Sequence, residues 1–237
     1  MRLFAVGDLH MPGGDDKPMN VFGSHWENHV QRIFDDWRSR VHPEDAVLIP
    51  GDISWAMQLK DAAPDLARIG ELPGRKVILR GNHDYWWSSL TQVREVLPPG
   101  MEAVQNNAVD LGFCVVCGTR GWNFGTGENR LAPEDEKILN REVLRLRLSL
   151  EAAEKLSGDR PVVVMMHYPP LLENQRKTPF TEVLSAHRIC RVVYGHLHGN
   201  AIHGGFNGVW EGIPYQLVSC DALGFRLLEL PLPGGTA

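Results

Sequence analysis

Five times along the chain, a short and continuously apolar run gives way to glycine or proline and a cluster of aspartate, asparagine or histidine. Leu3 to Val6 leads into Gly7-Asp8-Leu9-His10, and Ala46 to Ile49 into Pro50-Gly51-Asp52. Val77 to Leu79 leads into Arg80-Gly81-Asn82-His83-Asp84, and Val162 to Met166 into His167-Tyr168-Pro169-Pro170. Arg191 to Tyr194 leads into Gly195-His196-Leu197-His198. Runs that are continuous rather than alternating are expected of strands buried on both faces. In open α/β sheets, ligands bind outside the carboxyl ends of the strands. Segments far apart in sequence are therefore expected to meet at one edge of a sheet.

The stretches between the runs carry helical spacing. From His25 to Val41, Trp26, His29, Val30, Ile33, Phe34 and Trp37 recur at intervals of three to four, with Ser24 as the candidate N-cap. Leu59 to Leu72 reads as a helix interrupted by Pro64, Leu90 to Val96 as a short one, and Phe180 to Ala186 as another. Pro133 to Leu156 reads as a long amphipathic helix, with Pro133 in its first turn and Gly158 at its stop. Alternating strands and helices imply parallel pairing with right-handed crossovers. Ala108 to Cys117 reads as one more strand. Val209 to Leu230 reads as antiparallel strands, with Gly212-Ile213-Pro214 at the turn. The expected fold is layered α/β, two mixed sheets flanked by helices. Neither a linker nor a repeat divides the chain, so residues 1–237 are expected to form one domain.

Carboxylates and imidazoles are ligands for divalent first-row metals. Asp8 and His10, or His196 and His198, stand two residues apart just past a strand end. A single carboxylate such as Asp52 has two oxygens and can serve two ions at once. Two ions ~3.5–4 Å apart clamp a phosphoryl group and activate water. The chain has ten histidines, and five of them fall in these blocks. Chance does not explain that placement.

The order D-x-H, G-D, G-N-H-D, H, G-H-x-H resembles the signature of the calcineurin-like metallophosphoesterases, and it runs from residue 8 to 198. The resemblance implies the sandwich fold of that superfamily and a hydrolase cleaving a phosphomonoester or phosphodiester through a dinuclear centre. It implies that Asp8, His10 and His198 bind one ion, that Asn82, His167 and His196 bind the other, and that Asp52 bridges them. The ions would be manganese, iron or zinc. His83 would face the substrate as general acid or phosphate donor, with Asp52 beside it at the catalytic centre. The blocks Gly7 to His10, Asp16-Lys17-Pro18-Met19 and Gly51 to Trp55 resemble a bacterial group of uncharacterised predicted phosphohydrolases. They do not resemble the Ser/Thr protein phosphatases, which carry an aspartate three residues after the bridging one to support the catalytic histidine. Trp55 stands at that position here, and Asp84 is the candidate to orient His83 instead.

Other residues have two readings. Arg120 could grip a phosphate bidentately or form a structural ion pair. Trp55, Trp86, Trp87, Trp122 and Tyr168 come just after strand ends or motif blocks. They either wall a substrate site or pack the core, with Trp55, Tyr168 and Arg120 the candidate substrate contacts. The loop from Met11 to Gly23 is a lid or a connection. His25, His29, His42, His187 and His203 read as ordinary histidines. Cys114 and Cys117 lie three apart in a strand-like run and so on opposite faces, which suits buried thiols rather than a zinc or redox pair. The net charge of −5 and the absence of a basic run argue against nucleic acid, so a small-molecule phosphoester is the expected partner. A nuclease, or a non-catalytic scaffold built on the same fold, are the alternatives. No run approaches the ~20 apolar residues of a membrane helix. Met1 to Asp8 shows no signal-peptide pattern, so the expected location is cytoplasmic.

Overall fold

The computed structural model describes residues 1–14, 18–125 and 131–233. Asp16-Lys17, which carries part of the resemblance to the bacterial group, lies outside the described residues, as does the far end of the Pro/Gly tail. The five apolar runs all form strands: β1 (Leu3–Ala5), β2 (Ala46–Pro50), β3 (Arg75–Leu79), β7 (Val162–Met166) and β8 (Arg191–Tyr194). They are shared between two sheets. With β4 (Met101–Val104) and β11 (Leu228–Leu230), the first sheet has the order β11-β1-β2-β3-β4. With β5 (Ala108–Asp110), β6 (Val115–Thr119), β9 (Gly208–Trp210) and β10 (Ile213–Leu217), the second has the order β5-β6-β7-β8-β10-β9. Both sheets are mixed: β1, β2, β3 and β4 are mutually parallel, β6, β7, β8 and β10 likewise, and β5, β9 and β11 pair antiparallel.

The strands are apolar throughout because both of their faces are covered. Ala46 and Leu48 of β2 and Val163 and Met165 of β7 meet in a core between the sheets. Val47 and Ile49 face the opposite way, toward the helices α1 (His29–Arg40) and α2 (Leu59–Gly70). Val162, Val164 and Met166 face α4 (Pro133–Ser157) and α5 (Pro179–Leu184). Each such side chain, fully buried, is worth ~1.5–3 kcal/mol of transfer free energy.

The helices differ in detail from expectation. α1 starts at His29, because Ser24–Trp26 coils into a 3₁₀ turn and Asn28 is left-handed (φ 52°), so Ser24 does not cap it. Pro64 does not interrupt α2: it lies on the exposed face, and the packing of Ala62, Leu66 and Ile69 outweighs one lost backbone bond. α3 (Leu90–Val96) is capped by Ser89, and α4 runs from Pro133 to the Gly158 stop as its pattern predicts. The stretch Ala108 to Cys117 is not one strand. It folds into the β5–β6 hairpin, turning at Gly112 (φ 87°) where Asp110 accepts the Gly112 N–H. In the tail the turn is Glu211-Gly212, and Ile213 and Pro214 already belong to β10. Among the described residues, no helix is long and apolar enough to cross a membrane.

Candidate metal centre

The blocks do converge, but across the seam between two sheets rather than at one edge. β1, β2 and β3 deliver Asp8 and His10, Asp52, and Asn82 and His83 from the first sheet. β7 and β8 deliver His167, and His196 and His198, from the second. The loops beyond β1 and β2 keep pairing after the strands end. Asp8 N–H donates to Gly51 O, His10 N–H to Asp52 O and Met11 N–H to Ile53 O, each at 2.9 Å. This ladder sets the first two blocks side by side.

Four of the candidate ligands, Asp8 (φ 59°), His10 (44°), Asp52 (50°) and His196 (74°), are in the left-handed region. Such positions cost ~1–2 kcal/mol each outside glycine and gather where the surroundings over-determine them. Two glycines are required by close approach. A Cβ on Gly81 would lie 2.1 Å from Asp52 Oδ1, and one on Gly195 would lie 2.4 Å from Asp8 Oδ2.

The side chains form two groups joined by Asp52. In the first, His10 Nε2 and His198 Nε2 are 3.4 Å apart, and His198 Nε2 is 3.4 Å from Asp8 Oδ1. His10 Nε2 lies 3.9 Å from Asp52 Oδ2. In the second, Asn82 Oδ1 is 2.6 Å from His167 Nε2 and 2.8 Å from His196 Nδ1. His167 Nε2 lies 3.5 Å from Asp52 Oδ1. His167 turns its Nδ1 to the Pro50 carbonyl (3.1 Å), which calls for the proton there and leaves a lone pair on Nε2. That lone pair faces the amide oxygen of Asn82. Acceptors aimed at one another repel unless a cation lies between them. Asp8, His10 and His198, and likewise Asp8, Asp52 and His167, bring their ligand atoms within 4.8 Å of one another. The donor set, oxygen and imidazole, suits divalent first-row ions, so the residues present fit a metal.

The buried charges show the same tension. Burial and the charge of Asp8 push the Asp52 carboxyl up, and although burial also opposes ionisation of Asp8, contacts with His198, His167 and His10 hold Asp8 down. Burial, then the charge of His167, lowers the His196 imidazole to about 3. His198 goes the other way: burial opposes its charge, but hydrogen bonds to Asp221 and Asp8 carry it up to about 10. The Asp221 contact is 2.9 Å from His198 Nδ1.

Without metal, His198 therefore keeps its proton at neutral pH, and an ion binding at Nε2 must expel it. A raised pKa on the competing base means that affinity climbs with pH until about 10. Apparent Mn²⁺ affinity is expected to rise about tenfold per unit from pH 8 to 9, with proton release detected by calorimetry in buffers of differing ionisation enthalpy. In Asp221→Asn that slope should largely vanish; a slope equal to wild type would exclude the Asp221–His198 coupling.

His83 lies at the rim. Its N–H donates to Asp52 Oδ1 (2.8 Å), and its ring packs on Trp55 at 4.6 Å. Its Nδ1 is buried without a protein partner. Asp84 does not orient it. The Asp84 carboxylate is buried and takes Ile53 N–H (2.8 Å), Ser54 N–H (3.2 Å), Gly81 N–H (2.7 Å) and the Trp86 indole (3.0 Å). It ties the Asp52 loop to the Asn82 loop.

Trp55 stacks on His10 (4.8 Å, 21°), and Tyr168 packs on His196 (4.2 Å). Trp86 and Trp87 are buried in the core beneath α3. Trp122 bonds Asp135 and packs on Tyr168. The Arg120 guanidinium turns to the buried Glu142 (4.0 Å) and over the Trp122 ring (4.6 Å), while its carbonyl accepts the His167 and Tyr168 N–H groups. His29 bonds the Leu9 carbonyl (3.0 Å), and His187 pairs with Glu154. Among the described residues, Cys114 and Cys117 are buried free thiols in different core layers.

Three supporting residues are not singled out by their sequence context: Asp221, Trp26, whose ring edges contact His10 and His198, and Cys220, whose thiol donates to Asp8 O. Asp221 too comes after a strand, β10, but Gln216 and Ser219 break the apolar run before it, so it lacks the signal the other blocks carry.

A family model of calcineurin-like phosphoesterases matches residues 1–200. Two similar crystal structures are a protein of unknown function, AQ665, from Aquifex aeolicus and phosphopantetheinyl hydrolase (PptH) from Mycobacterium tuberculosis. The first has a TM-score of 0.50 at 14% identity, covering 96% of this chain and 95% of that one. The second has a TM-score of 0.61 at 14% identity, covering 100% and 98%. At that identity the likeness is one of fold. No curated protein matches the sequence.

Proposed function

The chain belongs to the calcineurin-like phosphoesterase family, and from that premise we propose that it hydrolyses a small-molecule phosphomonoester or phosphodiester at a dinuclear centre held by Asp8, His10, Asp52, Asn82, His167, His196 and His198. The observation that carries this reading is the Asp52 carboxylate, with one oxygen toward His10 and the other toward His167, between the two groups of candidate ligand atoms. When bound, two divalent ions supply charge for the phosphate oxygens and a low-pKa water. Manganese, iron and zinc all suit these ligands.

The chain's own residues do the rest. Asp8 holds its negative charge in a buried place, and Asp52, pushed up by burial and by Asp8, would ionise fully only against bound cations. The Pro50 carbonyl and Asp221 fix the tautomers of His167 and His198, so that Nε2 of each faces inward. Burial, then the charges of His167 and His198, lowers His83, so its ring is neutral in the free protein at pH 7, and a general-acid role requires that the negative charge of a bound phosphate restore its proton. It is placed to donate a hydrogen bond to a phosphate or leaving-group oxygen at the rim. In this reading the ester is met in the cytoplasm.

The test is hydrolysis of mono- and diester panels by protein reconstituted with each metal. Turnover of neither class with any metal would sink the proposal. His83→Ala is expected to lower kcat ~10²–10⁴-fold on alkyl leaving groups with the metals retained. The loss should be smaller with 4-nitrophenol, which needs no proton. Equal losses on both would remove the general-acid role and leave that of phosphate donor.

A further inference from the structure

His10 of the metal centre borders a polar cavity of about 520 Å³, with Asn20, Glu27, Gln31 and Arg68 in its lining, but two further cavities beside the centre are mostly apolar. A cavity of about 280 Å³ has His10, His83 and His198 on its floor and Met19, Phe22, His25, Trp26 and Trp55 in its walls. A second, of about 460 Å³, shares Met19, Phe22 and Trp55 and extends to Val21, Met57 and Tyr85. Val21 (73% exposed), Phe22 (63%), Met57 (59%) and Tyr85 (54%) are four of the ten large apolar side chains exposed among the described residues. They are gathered round this one groove. Scattered singly, such residues mean little; lined up beside a site they mark what it binds. Among the described residues, no lysine or arginine lines either cavity.

We propose that this groove is a subsite for the hydrocarbon part of the substrate, so that the ester cleaved is one of a long or bulky apolar alcohol, an assignment that rests on the phosphoesterase reading above and specifies its substrate class. Ligand sites are mostly apolar, with a few polar groups that fix orientation. Here the polar groups are the floor histidines and the apolar remainder is the groove. Its inner wall is fixed: Trp55 stacks on His10 and donates its indole N–H to Met19 Sδ (3.2 Å). Its outer wall is adaptable, since Met57 and Phe22 are exposed and methionine repacks readily. Among the described residues, a nucleotide or polyphosphate would find no lysine or arginine along these two cavities, Arg68 lying in the polar one that shares Met19 and Trp26. A surface for docking a protein or membrane would need the exposed residues but not a wall continuous with His83.

The experiment is calorimetric titration of Mn²⁺-loaded protein with methyl-, butyl- and octylphosphonate, which are not hydrolysed. Full burial gives about fourfold in affinity per methylene. The groove is open on one side, so the expected gain from methyl to octyl is smaller, about thirtyfold or more, with the heat capacity of binding becoming more negative along the series. The double variant Phe22→Ser/Met57→Ser, both positions exposed, should reduce that ratio below about fivefold. Dissociation constants equal within threefold, no binding of octylphosphonate, or an unchanged ratio in the variant would each overturn the subsite. Turnover of 4-nitrophenyl alkyl phosphates is measured beside it. Absence of any turnover speaks against the hydrolase, whereas a flat binding series speaks against the subsite alone.

Discussion

Asp52→Asn is expected to lower phosphoester hydrolysis by about 10³-fold or more and to raise, not lower, the stability of the metal-free protein. The two effects share one cause. Asp52 and Asp8 are carboxylates buried near each other, and without a cation they oppose one another's ionisation. Asparagine removes that opposition. It keeps an oxygen to accept the His83 N–H, which lies 2.8 Å from Asp52 Oδ1. It also places an NH₂ where Oδ2 now faces His10 Nε2 at 3.9 Å, a donor directed at a lone pair. What it cannot do is offer anionic oxygen to both groups of histidines. A lost Lewis-acid contribution of several kcal/mol corresponds to about three orders of magnitude in rate. Thermal unfolding in EDTA, metal content after reconstitution and kcat on a chromogenic diester test this together. A variant holding two ions per chain with more than about 1% of wild-type kcat would show that Asp52 does not bridge. A lower unfolding temperature in EDTA would show that the carboxylate is structural.

The convergence of the candidate ligands was legible because each obeys a local rule. An apolar run buried on both faces must end, and the residues just past its end stand at the carboxyl edge of a sheet. Asp8, Asp52, Asn82, His167 and His196 need nothing more. Their division between two sheets was not legible, because pairing partners are chosen by contacts between segments far apart in the chain. Asp221 was hidden for a related reason: β10 inserts next to β8 in parallel, and only that pairing brings the residue after it to His198. The start of α1 was misplaced because the apolar spacing of Trp26 and His29 continues through a break that only the left-handed Asn28 reveals. Trp86 and Trp87 come after a motif block as Trp55 does. The chain direction after Asp84 takes them inward, and periodicity does not report it.

Asp84 sits beside His83 in sequence but serves the two loops in the fold, and its removal has the second large expected effect. Asp84→Ala is expected to destabilise the protein by about 3–5 kcal/mol and to lose metal with it. One carboxylate takes three backbone N–H groups and the Trp86 indole. Burial, then the charge of Asp52, pushes its carboxyl up to about 6, against the hydrogen bonds that hold it down, so at pH 7 it is ionised. Removing it leaves four buried donors, each costing ~1–3 kcal/mol if nothing replaces the acceptor, with water and relaxation recovering part. Two of those donors, Ile53 and Ser54, come directly after Asp52, and the third backbone donor, Gly81, precedes Asn82. The spacing of the bridging carboxylate and the Asn82 amide oxygen therefore depends on a side chain that touches no metal in this reading. Asp84→Asn separates the contributions. It keeps an acceptor for Ile53, Ser54 and Trp86 but turns an NH₂ toward the Gly81 N–H. Its expected cost is about 1–3 kcal/mol, with weakened metal binding and a fold that persists at 25 °C. Urea unfolding at pH 7 in EDTA measures the first effect, and metal affinity of the folded Asn variant measures the second. If Asp84→Ala cost under about 1 kcal/mol, the two loops would be holding their geometry without it. If Asp84→Asn bound metal as tightly as wild type, the link between the loops would be one of stability alone.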